Sequence, residues 1–409
     1  MNFTFSEEQN LFRDSIRRYL EETYPFENRA KTLQHPNGYS EELWQSLAEL
    51  GWLALPFAEE YDGLGGSAID SMIVMEEIGR ALLVSPILST VLLSGQLIAN
   101  AGTESQKYDL IPQIGAGKLK LALAFAEPDA GYDLAQVATS ATKEGNGYRL
   151  NGAKCVVFNA QSADIIIVVA RTSGHANAQE GLSLFLLDPT MDGLNLKNYR
   201  THDGGCASDI ILDDLFLPDK ALLGDIGMAY PHLQRVVDQA AVALCAEASG
   251  AMWAICEQSG AYFKTREQFG QNLGSFQALQ HRLVDVYMKC QLSQSLVYDA
   301  VCALDDQDLP KGQNDFLKNA DGVTKTCANK TLAQKVSQKV SAAKYHVGMD
   351  ARSVGQEGIQ FHGGMGMMTE LPIGHYYKRI TMINATFGDP RYHLKRYRDL
   401  MYQPINSAA

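Results

Sequence analysis

The stretch Cys155-Val156-Val157-Phe158-Asn159-Ala160-Gln161-Ser162-Ala163-Asp164-Ile165-Ile166-Ile167-Val168-Val169-Ala170 decides the fold class of this chain. It holds two short apolar, β-branched runs, Cys155 to Phe158 and Ile165 to Ala170, parted by polar residues, which is the texture of neighbouring strands. Leu182 to Leu187 and Ile210 to Leu217 repeat it. Gly145-Asn146-Gly147 and Asn151-Gly152 flank Tyr148-Arg149-Leu150 and offer the positive-φ residues that hairpin turns need. No strand-helix-strand alternation occurs, so an antiparallel β domain over 119–222 is expected in place of a doubly wound one.

On either side the periodicity changes to that of helices. Ser6 can cap a first helix with Gln9 at the reciprocal position, and Phe12, Ile16, Tyr19 and Leu20 then share a face. Leu43, Leu47 and Leu50 repeat the pattern, and Ile69, Met72, Ile73 and Leu82 follow the turn-rich Tyr61-Asp62-Gly63-Leu64-Gly65-Gly66. After Pro218, long helical segments are expected near Pro231 to Lys264, Ser275 to Leu304 and Thr324 to Arg352. The polar stretch Asp305 to Asp321, with Pro310 and Gly312, reads as a loop between two of them. The expected fold is therefore α+β: an N-terminal helical domain (1–118), a middle antiparallel β domain (119–222) and a C-terminal helical bundle (223–409).

Composition narrows the function. With 409 residues the chain exceeds what one core usually serves, and 46% apolar against 20% charged residues is the balance of a globular protein. A net charge of −12 argues against general nucleic-acid binding, which needs a basic surface. No apolar run reaches the roughly 18 to 20 residues of a membrane span, and Met1 to Leu20 carries charges throughout, so a cytoplasmic protein is expected. The seven cysteines, Cys155, Cys206, Cys245 and Cys327 among them, show no metal or redox spacing. They read as reduced core residues, and no metal site is expected.

Two motifs speak of a diphosphate-linked ligand. Arg266 in Arg266-Glu267-Gln268-Phe269-Gly270 offers a planar fork that matches phosphate oxygens. Gly363 and Gly364 in Gln360-Phe361-His362-Gly363-Gly364-Met365-Gly366 let backbone amides approach such phosphates closely. Gln277, in Ser275-Phe276-Gln277-Ala278-Leu279-Gln280, and Gln360 can hydrogen-bond an adenosine or ribityl group. Taken singly, Arg266 could instead meet a surface carboxylate and the glycines could end a helix.

Together with Phe3-Thr4-Phe5-Ser6-Glu7-Glu8-Gln9 and Ala126-Glu127-Pro128-Asp129-Ala130-Gly131-Tyr132-Asp133, these motifs resemble the acyl-CoA dehydrogenase family over nearly the whole chain. The resemblance implies FAD as cofactor, an acyl-CoA thioester as substrate, an electron-transfer flavoprotein as electron acceptor and a dimer-of-dimers assembly. It places Arg266, Phe269, Gln277, Gln360, Gly363 and Gly364 on the adenosine and pyrophosphate half of an FAD seated mainly in the neighbouring subunit. Ala126 and Phe158 fall at the flavin ring, and Tyr132 and Asp238 at the substrate.

The chain departs from the family pattern where the chemistry is done. The two positions that supply the α-proton base in the family fall on Phe387 and Ala240, neither of which can take a proton. Loss of a positioned base costs about 10² to 10⁴ in rate. Ala126 replaces a hydroxyl residue, Val156-Val157-Phe158-Asn159 replaces the segment with a ring-packing tryptophan and a threonine, Tyr132 replaces a serine, and Ala241 replaces an arginine. The set that would serve a neighbour's FAD is thus present, whereas the set that would serve the chain's own flavin ring is mostly absent. That split resembles the small subunit of heteromeric acyl-CoA dehydrogenases, which lends a half-site to a catalytic partner.

Two other readings stay open. A self-sufficient homotetramer would need a relocated base, for which Asp389, Asp238 and Glu247 are the candidates. Against these, Asp389 could cap the helix after Pro390, Asp238 could meet an arginine and Glu247 could lie on a solvated face. A flavin monooxygenase on the same fold would need no such base. Among smaller signals, His362 is expected to support its loop through a backbone hydrogen bond, Tyr376-Tyr377-Lys378-Arg379 to be an ordinary amphipathic segment, and Met365, Met367 and Met368 to pack in the core.

Overall fold

The computed structural model describes residues 5–308 and 325–402, with the side chains of 306–308 and 325–331 left aside. Six helices come first: α1 (Glu7–Thr23), α2 (Phe26–Gln34), α3 (Glu41–Glu49), α4 (Ala68–Ala81), α5 (Gln96–Ala101) and α6 (Glu104–Gly115). Eight strands follow: β1 (Leu121–Ala124), β2 (Ser140–Glu144), β3 (Gly147–Phe158), β4 (Ile165–Arg171), β5 (Leu182–Leu187), β6 (Leu194–Arg200), β7 (Cys206–Pro218) and β8 (Leu222–Leu223). After them come α7 (Ala229–Thr265), the short strands β9 (Glu267–Gln268) and β10 (Gln271–Asn272), α8 (Gln277–Asp308), α9 (Lys325–His362), α10 (Pro372–Ala385) and α11 (Pro390–Tyr402). Helix, sheet, helix is the order expected from the sequence.

These elements pack as two compact units that do not follow chain order. One unit gathers the described parts of Met1–Phe26 and Ala241–Ala409 with Ser67–Leu83, and the other gathers Glu27–Gly66 with Val84–Ala240. In the first, the capping box at Ser6 and Gln9 forms as read: the Ser6 side chain accepts from the Gln9 amide and the Gln9 side chain accepts from the Ser6 amide. Residues Met72 to Gly79 of α4 are buried nearly all round, so α4 is a core helix, and Leu82 is its left-handed C-cap (φ +53°). Helix α7 is long and apolar enough to cross a bilayer, which the reading of the sequence missed. Its most apolar window is 83% buried within the protein, as a core helix requires.

In the second unit the sheet runs β6-β7-β3-β2-β4-β5-β8, mostly antiparallel. One departure from the antiparallel expectation is β1, which pairs in parallel with β4 from Leu121↔Ile165 to Ala124↔Val168. Gly145-Asn146 is the two-residue turn of the β2–β3 hairpin, with Gly145 at φ +56°. Asn151-Gly152 is not a turn. It marks a register shift inside β3, where β3 continues along β7. A Cβ on Gly152 would press on Thr139 at 2.5 to 2.7 Å. Inward-facing Leu150, Val157, Ile166, Val168, Phe185, Ile210 and Leu212 form the core of this sheet.

Two further expectations change, and the reading of the cysteines does not. Leu50 lies beyond the end of α3 and is 49% exposed; Trp44 and Leu47 carry that helix's buried face. Residues 305–308 of the expected loop belong to α8, and the rest of it, like Phe3 and Thr4, lies outside the described residues. Cys155, Cys206, Cys245, Cys256, Cys290 and Cys302 are free thiols, buried or half-buried; the side chain of Cys327 lies outside the description.

Candidate functional site

In the first unit, the expected phosphate-facing residues come together around the end of α7. Tyr262 stacks on His362 with ring centres 4.5 Å apart, and Phe263 meets Phe361 edge-on at 5.0 Å. These contacts tie the α7 terminus to the loop at Gly363–Met367. Just beyond, Arg266 opens the β9–β10 hairpin, with its amide donating to the Tyr262 carbonyl at 2.8 Å and its carbonyl accepting from the Leu273 amide at 2.9 Å. The hairpin tip is Phe269, 93% exposed at φ +56°, with Phe276 6.3 Å away edge-on. Gln277 and Gln360 are both exposed, at the start of α8 and near the end of α9.

This set fits a phosphate-bearing cofactor such as the FAD implied by the resemblance. The Arg266 guanidinium is exposed and, among the described residues, has no ion pair. Gly363 takes φ +58°, which a side chain would strain, and a Cβ on Gly364 would touch nothing within 4 Å. The chain's own packing gives Gly364 no reason to be glycine, whereas a ligand approaching the backbone would. His362 plays the supporting part expected of it: its Nδ1 bonds the Gly358 carbonyl at 2.8 Å, and burial holds its pKa below the ordinary histidine value. Met365, Met367 and Met368 are not core residues, being 38%, 73% and 47% exposed beside this set.

The loop carrying Phe387 sits elsewhere in the unit. Lys344, fully buried in α9, donates to the carbonyls of Ile383 (2.7 Å), Gly388 (3.1 Å) and Asn384 (3.4 Å). Burial pushes its pKa down to about 8. His393 Nε2 bonds the Phe387 carbonyl at 3.0 Å, and Gly388 has no room for a Cβ against His393 and Tyr392. Phe387 itself is held at φ +59°, a conformation bulky residues seldom take. Lys344 and Gly363 lie nineteen residues apart along one continuous helix and its terminus, about 28 Å at 1.5 Å per residue. The base-position loop and the phosphate-facing set are therefore two separate places on this unit.

Two of the relocated-base candidates are committed to named partners, and the third is buried. The Asp389 carboxylate accepts from the Tyr392 amide at 2.8 Å and caps α11. Glu247 is not on a solvated face: it is 3% exposed and forked to Arg379 of α10. Asp238 is 4% exposed. A cleft of about 340 Å³ between Arg17, Glu77, Arg80, Glu257 and Tyr376 contains none of the expected site residues.

In the second unit, the expected ring-side residues surround a bulge in β3. The Cys155 amide donates to the Ala126 carbonyl at 2.9 Å, and the Ala126 side chain offers no hydroxyl. Val156 sits at φ +52° and is 44% exposed, its amide donating to Asp209 Oδ1 at 3.2 Å; a β-branched residue there is strained. Phe158 is half-buried at the end of β3, and Tyr132 is 36% exposed.

A buried ion pair that sequence reasoning missed pins this region. Glu127 accepts from Lys154 Nζ at 2.7 Å and from the amides of Ala138 (2.7 Å) and Thr139 (3.0 Å). Burial alone would raise the Glu127 pKa, but Lys154 and these donors bring it below the usual value. Burial pushes Lys154 down to about 8. The partners are 27 residues apart in sequence, with no local signal joining them.

Comparison with known proteins adds a lineage to this geometry. Family models described as the N-terminal, middle and C-terminal domains of acyl-CoA dehydrogenase match residues 6–118, 122–215 and 230–396. The mitochondrial long-chain specific acyl-CoA dehydrogenase of Sus scrofa is 30% identical over 91% of this chain and 81% of its own length. Among solved structures, the Tcur3481-Tcur3483 steroid ACAD is similar with a TM-score of 0.81 and 27% identity, covering 97% of this chain and 98% of that one. The butyryl-CoA dehydrogenase of Megasphaera elsdenii shares the fold at a TM-score of 0.84 and 24% identity, over 98% and 100% of the two chains.

Proposed function

The chain belongs to the acyl-CoA dehydrogenase family, and from that premise we propose that it is a subunit of an FAD-dependent dehydrogenase whose proton-abstracting base is supplied by a different chain. The reaction proposed is α,β-dehydrogenation of an acyl-CoA thioester. When bound, FAD would take up the β-hydride, and an electron-transfer flavoprotein would carry the electrons away.

The observation that carries this reading is the contrast between two places joined to α9 at Lys344 and at Gly363, positions about 28 Å apart along the helix at about 1.5 Å per residue. At one, Arg266, Phe269, Gln277, Gln360, Gly363 and Gly364 lie exposed, with open backbone and a guanidinium that has no ion pair among the described residues. Arg266 would neutralise and orient a diphosphate there, and Phe269 would cover apolar ring surface of the same cofactor. At the other, a rigidly tethered loop presents Phe387, which cannot accept a proton. The nearest acid in sequence, Asp389, is spent on a helix cap, and Glu247 is held by Arg379. Ala240 is fully buried and equally inert.

This division supports a heteromeric assembly in which the chain lends a cofactor half-site to a catalytic partner. Coexpression with the product of a neighbouring gene tests it. Exchange of the substrate α-proton for deuterium should require the partner, and a lone chain that catalyses this exchange with acyl-CoA would refute the proposal. A monooxygenase on this fold would instead consume oxygen with reduced flavin and a substrate that is not a thioester.

A further inference from the structure

Where α4 crosses α7, the two backbones touch. A Cβ on Gly79 would collide with the Glu247 carbonyl, and one on Gly250 with the Glu76 carbonyl. Such a crossing leaves no slack for rearrangement. Glu76 lies in this junction, 6% exposed. Its Oε1 accepts from Gln294 Nε2 of α8 at 2.6 Å and from Ser249 Oγ of α7 at 3.4 Å, while its Oε2 is buried with no hydrogen-bond partner. No cation pairs with it among the described residues. The adjacent Glu77 has taken the arginines: Arg17 forks onto it at 2.6 and 2.9 Å, and Arg80 Nε stands 3.9 Å away.

The charged and titratable groups that face Glu76 are Arg13 of α1, Glu77 and Arg80 of α4, and Tyr298 of α8; α7 contributes the neutral Ser249. Burial raises the pKa of Glu76 most, and Glu77 adds to it, against opposing pulls from Gln294, Arg13 and Arg80. A buried carboxylate with an orphan oxygen and a like charge beside it is costly; protonation removes the charge from the orphan oxygen and the repulsion with Glu77.

We propose that Glu76 keeps its proton in the folded chain at neutral pH and acts as a proton latch, tying α4 to α7 and α8 as a neutral acid and loosening them as the pH rises. The last turn of α7 carries Tyr262 and Phe263 and leads to Arg266, and α8 begins at Gln277, so two of the latched helices hold part of the phosphate-facing set. In the unfolded chain an ordinary glutamate has lost its proton above about pH 4.5. Unfolding therefore releases one proton in the range between that value and the raised folded one, and the unfolding constant grows about tenfold per pH unit there. The latch contributes fully below the ordinary carboxylate range and is lost as the pH climbs through the folded value.

Two measurements on the full chain decide this. Denaturant unfolding of the wild type and Glu76→Gln, compared from pH 5 to 9, should show the wild type losing ground to the variant as pH rises, by up to about tenfold per unit in the unfolding constant. Parallel profiles would overturn the latch. Infrared spectra of carbon-13 glutamate-labelled wild type should show a protonated carboxyl band at pH 7 that vanishes on raising the pH. Its absence at pH 7 would equally overturn the proposal, and this readout stands even where Glu76→Gln does not fold.

Discussion

The Arg379 guanidinium forks onto the Glu247 carboxylate, Nε to Oε1 at 2.5 Å and Nη2 to Oε2 at 2.7 Å, joining α10 to α7. Glu247 is nearly inaccessible while Arg379 keeps about a quarter of its side chain in solvent. Glu247→Gln leaves the guanidinium without its counterion, so a loss of about 2–3 kcal/mol in denaturant unfolding is expected, below the roughly 3–5 of a fully buried pair. Activity per folded assembly should not change. A collapse of turnover with unchanged stability would make Glu247 a base after all.

Asp389 separates capping from catalysis. Because its Oδ1 accepts from the Tyr392 amide, Asp389→Ala should cost about 1 kcal/mol of stability and Asp389→Asn much less. Neither should alter α-proton exchange in the assembled enzyme. Equal loss of exchange in both variants would show a proton acceptor at this position.

Arg266 is exposed and pairs with no carboxylate among the described residues, so replacing it should leave folding intact. In the assembled enzyme, Arg266→Ala removes a charge-assisted bond of about 1.5–3 kcal/mol, which weakens FAD retention by roughly 10- to 100-fold. Arg266→Lys, which keeps the charge and loses the fork, should fall between. Flavin fluorescence released on dilution reads this directly. Unchanged retention in both variants would mean that the guanidinium serves only solvation.

His393 gives the chain an acid sensitivity of known sign. Burial, then Lys344 and Arg396, push its pKa from 6.5 to about 3, so the folded chain holds it neutral while the unfolded chain protonates it below about 6.5. Stability is therefore lost as pH falls from about 6.5 toward about 3, by up to tenfold per unit in the unfolding constant. His393→Gln should flatten that part of the profile. Identical acid profiles for the two proteins would show that the ring is already charged in the fold.

Much of this was legible in the sequence wherever the signal was local. The Ser6–Gln9 capping box, the Gly145-Asn146 hairpin and the cap at Asp389 each depend on residues within a few positions, and each formed. Periodicity misled at Leu50, because the chain leaves α3 through the left-handed Gly51 one residue after the stripe would have continued. The methionines at 365, 367 and 368 looked like core on composition alone, yet lie open beside Gly363. The pairs Glu127–Lys154 and Glu247–Arg379, and the Lys344 tether on the 383–388 loop, join residues 27 to 132 positions apart. No spacing rule reaches that far. The commitment of Glu247 and the rigidity of the Phe387 loop emerged only from the fold.

The central claim, that this chain lends a cofactor half-site and a partner supplies the base, is tested most directly by counting FAD. Native mass spectrometry of the coexpressed, purified assembly should show both chains in one tetramer with two FAD, and the chain expressed alone should carry none. A homotetramer of this chain alone that holds four FAD, bleaching on addition of acyl-CoA, would contradict it.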